Sequence, residues 1–158
     1  MKILVFSDSH GASSKIVRAI NMHGAKCDAV IFLGDGLRDI EYVKSLFPEL
    51  CFFCVSGNCD MFSGDTPTEA LLDFDGIKIF VTHGHRYFVK HGYGTLADYA
   101  HSKGADAAFF GHTHVPLENC EYLDEKRVTL FNPGSIGMGS YGVVNTVNGV
   151  LVTSIGSV

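Results

Sequence analysis

The sequence has no run or stripe of basic residues: 12 Lys and Arg stand against 17 Asp and Glu, for a net charge of −5. Long nucleic acid is held by neutralising many phosphates with Lys and Arg, so it is not an expected partner, although a short oligonucleotide stays open. Long apolar runs are also missing. The stretch over residues 29–33 is among the longest, far below the ~20 residues of a membrane span. The apolar run after Met1-Lys2 ends after four residues, at Phe6. A secretory segment needs ~7–15 and a cleavage site. The start therefore reads as a buried first strand, and the protein as cytoplasmic with no membrane partner. No segment is polar and low in complexity, which excludes disorder. A disulfide framework is missing as well, because five cysteines are an odd number and suit a reduced compartment. Cys51 and Cys54 have C-x-x-C spacing, but on a strand residues three apart point to opposite faces. They read as two buried core cysteines, not as a zinc or redox pair.

What is present fits one domain over residues 1–158. A chain of this size buries about 68–70% of its unfolded surface. Apolar strands are expected over 2–6, 29–33 and 51–55, with helices over 13–23 and 37–47 between them. The first helix carries Ile16, Val17, Ile20 and Met22 as an apolar stripe, Ser13 or Ser14 as cap, and Gly24 as stop. Strands alternating with helices imply βαβ units and a parallel sheet. Residues 60–68 read as a loop. Residues 71–74 and 78–82 read as a hairpin around Asp75-Gly76, and Asn148-Gly149 is a second hairpin turn. A helix over 95–103 precedes a strand over 105–110, and strands over 128–131, 142–147 and 150–155 close the chain. The expected fold is α/β: two packed sheets with helices outside.

The chemistry-bearing residues each follow an expected strand. Asp8-Ser9-His10, Gly34-Asp35, Gly57-Asn58-Cys59-Asp60, His83-Gly84-His85 and Gly111-His112-Thr113-His114 all do so. Ligands in open α/β sheets bind outside the carboxyl ends of strands, so these clusters can converge on one rim. Imidazole with carboxylate suits divalent Mn, Fe, Zn, Ni or Co, and no cysteine pair there has structural-zinc spacing. There are donors enough for two ions, and a carboxylate can bridge two.

The order Asp-x-His, Gly-Asp, Gly-Asn, His, Gly-His-x-His resembles the calcineurin-like metallophosphoesterase superfamily from Asp8 to His114. The short length and Gly57-Asn58-Cys59-Asp60 resemble its small single-domain YfcE-type phosphodiesterases. The resemblance implies a double β-sandwich flanked by helices, in αββα layers. It implies Asp8, His10 and His114 on one metal, Asn58, His83 and His112 on the other, and Asp35 bridging. It further implies two divalent ions, manganese first with Fe, Zn, Ni, Co or Mg as alternatives, and a bridging hydroxide that attacks phosphorus.

The chain departs from that pattern at Cys59, where most members have a histidine that meets the phosphate or the leaving group. Asp35, Asn58, Cys59 and His85 are the catalytic candidates. Cys59 would line the site. His85 either partly replaces the missing imidazole or is an exposed loop residue. Asp60 either orients a ligand or serves a turn. Arg38, Arg86 and Lys90 read as solvated charges, Tyr87, Phe88 and Tyr93 as packing, and Asn132-Pro133-Gly134-Ser135 as a turn.

The expected function is metal-dependent hydrolysis of a small phosphate ester, a diester before a monoester. The alternatives are a phosphomonoesterase, a nuclease, and a protein-binding scaffold such as the retromer subunit of this fold. A homo-oligomer stays open.

Overall fold

The computed structural model describes residues 1–61 and 64–158. The elements run β1 (Lys2–Phe6), α1 (Ser13–His23), β2 (Ala29–Phe32), α2 (Leu37–Leu46), β3 (Cys51–Cys54), β4 (Glu69–Phe74), β5 (Ile77–Thr82), α3 (Gly94–Ser102), β6 (Ala107–Phe109), β7 (Leu117–Leu123), β8 (Lys126–Asn132), β9 (Ser140–Val147) and β10 (Val150–Ser157). They form two five-stranded sheets, ordered β10-β9-β1-β2-β3 and β4-β5-β6-β8-β7. Both sheets are mixed. β1, β2 and β3 are parallel, as the βαβ rhythm predicts, but β9 joins β1 antiparallel. In the second sheet β5, β6 and β8 are parallel, with antiparallel β4 and β7 at the edges.

Strand alternation divides the side chains into three apolar layers. Ile3, Val5, Ile31, Ile79, Val81, Phe109 and Phe131 point between the sheets. Leu4, Phe6, Val30 and Phe32 point the other way, onto Ile16, Ala19 and Ile20 of α1 and Ile40 and Val43 of α2. On the far side Phe80, Ala108 and Leu130 meet Leu96, Ala97 and Ala100 of α3. β1 and β2 are covered on both faces, which is why they read as unbroken apolar runs. Among the described residues, no helix is long and apolar enough to cross a membrane.

Several local expectations differ from the structure. α1 is capped by the backbone of Ala12 with no side-chain cap bond, so neither Ser13 nor Ser14 has that role. Ala19 completes its buried stripe, while Met22 is 59% exposed. Gly24 does end the helix, its N–H donating to the Ile20 carbonyl. Cys51 and Cys54 do point opposite ways, but Cys51 is exposed and Cys54 half-buried against the α1–α2 layer. β3 is an edge strand, so its outer residues lack a second cover. β7 has no counterpart among the expected strands. Its exposed Glu118 and Asn119 interrupt the apolar signal, as charged side chains commonly do on sheet edges. The expected loop over 60–68 includes Phe62 and Ser63, which lie outside the described residues.

Phe131 is fully buried between the sheets, its ring 5.1 Å from that of Phe109. Phe131→Ala is expected to cost about 3–5 kcal/mol of unfolding free energy, read from urea denaturation. A cost under about 1 kcal/mol would mean the sheets are not joined there.

Candidate metal centre

All the clusters lie at one end of the sandwich, because the chain leaves β1, β2, β3, β5 and β6 there in parallel. Backbone hydrogen bonds tie the exits together. Asp8 N–H donates to Gly34 O at 2.9 Å, Gly111 N–H to His83 O at 3.0 Å and Ile136 N–H to Ser7 O at 3.0 Å. Two glycines allow the β2 and β3 exits to touch. A Cβ on Gly34, whose φ is +97°, would sit 2.5 Å from Gly57 N, and one on Gly57 would sit 2.1 Å from Asp35 Oδ1.

Asp8, His10, Asp35, His112 and His114 all have positive φ, between 45° and 67°. Non-glycine residues adopt this backbone at a cost, and such residues concentrate at functional sites. Asn58 and His83 do not share it.

The side chains converge accordingly. His114 Nε2 is 3.1 Å from Asp8 Oδ1 and 3.4 Å from His10 Nε2. His83 Nε2 is 3.3 Å from Asp35 Oδ2, 3.9 Å from Asp8 Oδ1 and 3.1 Å from Asn58 Oδ1. Donor atoms of Asp8, His10 and His114 lie within 4.8 Å of one another, as do those of Asp8, Asp35 and His83. Asp8 thus belongs to both groups. The His112 ring lies 5.1 Å from that of His83. All seven expected ligands therefore meet at one place.

The donors fit divalent metal. Asp8 is fully buried; its Oδ2 accepts from Ser7 Oγ at 2.6 Å and from His112 N–H at 3.0 Å, whereas its Oδ1 makes no hydrogen bond among the described residues, although His114 Nε2 stands 3.1 Å away. A buried carboxylate oxygen left unpaired is costly, and a cation held among the neighbouring donors removes that cost. His83 Nδ1 lies 2.7 Å from Leu33 O. A carbonyl only accepts, so Nδ1 carries the proton and Nε2 offers its lone pair to the cluster.

The charges agree. Burial alone would raise the Asp35 carboxyl, but bonds from His83 and from Cys59 N–H hold it well below the usual carboxylate range. Burial disfavours the His83 imidazolium, yet the Asp35 bond and the Asp8 charge push its pKa up. Burial and the His83 charge hold His112 down at about 4, leaving it neutral and able to bind metal.

Cys59 and His85 stand apart from the expected ligands, although Cys59 Sγ also lies within 4.8 Å of donor atoms of His10 and Asp35. Cys59 is exposed at the rim, with Asn58 Nδ2 donating to its Sγ at 3.2 Å. Its bond to Asp35, its burial and the surrounding carboxylates push the thiol up. His85 is half-buried with its ring 5.5 Å from that of His83, and its Nδ1 is buried without a partner. It faces the cluster instead of standing free in a loop. Of the aromatic residues after it, Tyr87 is buried and bonded to Glu69 at 2.5 Å, whereas Phe88 is 67% exposed and does not pack.

Sequence reasoning missed much of the supporting shell. The Asp60 carboxylate accepts four backbone N–H groups: Asp35 and Gly57 on Oδ2 at 2.7 and 2.8 Å, Gly36 and Leu37 on Oδ1, both at 2.9 Å. It caps α2 from another loop and fixes Asp35, so it orients a ligand. Asp39 Oδ2 similarly receives Ser9 Oγ at 2.5 Å and Gly11 N–H at 2.8 Å. Asn132 donates to Gly111 O at 2.9 Å, and Ser135 Oγ to Asp8 O at 2.8 Å. The Asn132–Ser135 turn is thus a clamp on two ligand loops. Its place after a strand, in register with the other clusters, was the available signal.

The fold and the donor cluster place the chain in the metallophosphoesterase class. The chain belongs to the calcineurin-like phosphoesterase superfamily, whose domain model matches residues 1–154. It is 37% identical over 136 residues to a probable metallophosphoesterase of Bacillus subtilis, covering 86% of this chain and 75% of that protein. A conserved Streptococcus pneumoniae protein described as a predicted phosphoesterase superposes with a TM-score of 0.79 at 26% identity, covering 99% of this chain and 88% of that one. Vps29 of Entamoeba histolytica, solved in complex with zinc, superposes with a TM-score of 0.72 at 18% identity over 99% of both chains, a likeness of fold alone.

Two outcomes follow from these contacts. Asp60→Asn places an NH2 group against N–H donors, and is expected to weaken metal binding by about tenfold or more. Calorimetric metal titration checks this, and affinity equal to wild type would remove the orienting role. The second concerns pH in the metal-free protein. His83 is raised in the fold, so its contribution is complete below about pH 6.5, its unfolded value, and is lost as pH rises through the folded one. Asp35 is lowered, so its contribution holds above about pH 3.9 and fails only in acid. Urea unfolding of chelator-treated protein is therefore expected to show falling stability from about pH 6.5 upward. Flat stability across that range would contradict the His83–Asp35 pair.

Proposed function

We propose that this chain is a phosphodiesterase that uses two divalent ions, manganese first, to hydrolyse a small phosphate ester. The observation that carries this is buried Asp8, whose Oδ1 makes no hydrogen bond among the described residues and which two of the three donor groups share. Asp8, His10 and His114 would hold one ion and Asn58, His83 and His112 the other, with Asp35 shared. Bound ions supply Lewis acidity toward the phosphoryl oxygens and acidify water near neutral pH.

The protein's part is placement. Asp60 fixes the Asp35 loop, Leu33 O fixes the His83 tautomer, and Ser135 and Asn132 hold the Asp8 and His112 loops. A rigid donor set held ready before substrate arrives favours stabilising charge that develops during reaction.

The preference for diesters rests on Cys59. Its thiol is exposed at the rim, and a thiol donates weakly. It offers less help to a poor leaving group than an imidazole would. Diesters with acidic alcohols need that help least. His85, half-buried beside the His83 ring, can accept or donate one hydrogen bond beside the substrate.

Chelator-stripped protein is expected to be inactive on bis-p-nitrophenyl phosphate and to regain turnover with added Mn. Cys59→His is expected to raise monoester relative to diester turnover. An unchanged ratio would remove Cys59 from substrate choice. Absence of turnover with any divalent ion, in protein that binds two, would move a protein-binding role ahead of catalysis.

A further inference from the structure

A cavity of about 540 Å³ opens beside the cluster, lined on one side by His10, Asp35 and Cys59. That is well within the range of small-molecule sites and larger than one phosphoryl group needs. Arg38 and Met61 line it as well. Asp39 and Asp60 are also in the wall, but their carboxylates are turned to Ser9 and Gly11 and to the four backbone donors. Because Asp60 consumes the Gly36 and Leu37 N–H groups, the start of α2 has little left to offer an anion. Among the described residues of the lining, Arg38 is the only Arg or Lys. Lys15 donates to Gly137 O and Arg86 to Thr68 Oγ1, whereas the Arg38 side chain has no partner among the described residues.

Resting on the phosphoesterase reading above, we propose that this cavity is a subsite for the substrate arm away from the reacting phosphorus, and that Arg38 selects arms carrying a second anionic group, phosphate or carboxylate. The reacting phosphate is met by the ions of the cluster. A guanidinium in the same cavity is left to pair with another anion, and its planar fork suits two oxygens of a phosphate or carboxylate. Met61, 76% exposed, gives the arm an adaptable apolar wall.

Calorimetry on manganese-loaded full chain tests this with thymidine 5′-phosphate and thymidine 3′,5′-bisphosphate, which differ by one anion. Wild type is expected to bind the bisphosphate about tenfold more tightly, the size of one charge-assisted hydrogen bond at an exposed site. In Arg38→Ala the ratio is expected to fall to near one, and Arg38→Lys to lie between. The wild-type preference should shrink with added salt. Equal binding or no binding of either ligand by wild type overturns the subsite, as does a preference retained in Arg38→Ala. The hydrolase reading fails separately. Wild type that discriminates between the ligands but hydrolyses no diester sinks that reading and leaves the subsite standing.

Discussion

The centre depends on one electrostatic constraint: two carboxylates, Asp8 and Asp35, are buried within reach of a single imidazole. Asp8 is 0% and Asp35 3% exposed, and both lie within 3.9 Å of His83 Nε2. Burying charge is unfavourable unless it is paired and hydrogen-bonded. The protein meets part of that demand through Ser7, the His112 and Cys59 N–H groups and His83. It leaves Asp8 Oδ1 unmet. Cations are the economical completion, and the imidazoles of His10, His112 and His114 surround the place where they would lie.

Holding that arrangement requires backbone that L residues avoid. Five of the donor-bearing residues have left-handed φ, on the order of 1 kcal/mol or more each. The strain is held in place by cross-loop bonds from the first sheet to the second. Ser135 and Ile136 grip the Asp8 loop, His112 N–H reaches Asp8 Oδ2, and His83 Nδ1 reaches Leu33 O. The inter-sheet core beneath, from Ile3 to Phe131, keeps the two rims in register, so packing below and chemistry above are linked.

The sequence reveals the strands, the order of the clusters and their convergence because those follow from short-range patterning. β1 and α1 are read to the residue, since β1 is a short apolar run and α1 a periodic apolar stripe that Gly24 ends. The shell behind the expected ligands is only partly legible, since the sequence leaves Asp60 between an orienting role and a turn. Asp60 looks like any loop aspartate until its four N–H donors, from two loops, come into view. Ser135 and Asn132 act across more than a hundred and about twenty residues respectively. β7 is hidden because an exposed edge strand needs no apolar alternation. The misplaced cap at Ser13 and the exposed Cys51, Met22 and Phe88 share one cause: local propensity does not know which face tertiary packing will cover.

The unmet charge of buried Asp8 points to cations held between it and its neighbours. Native mass spectrometry of wild type and Asp8→Asn, each reloaded with manganese after chelation, tests it most directly. The account predicts two ions per wild-type chain and loss of at least one in the variant, with both proteins folded. A wild type that retains no ion, or an Asp8→Asn protein that keeps both, would contradict it.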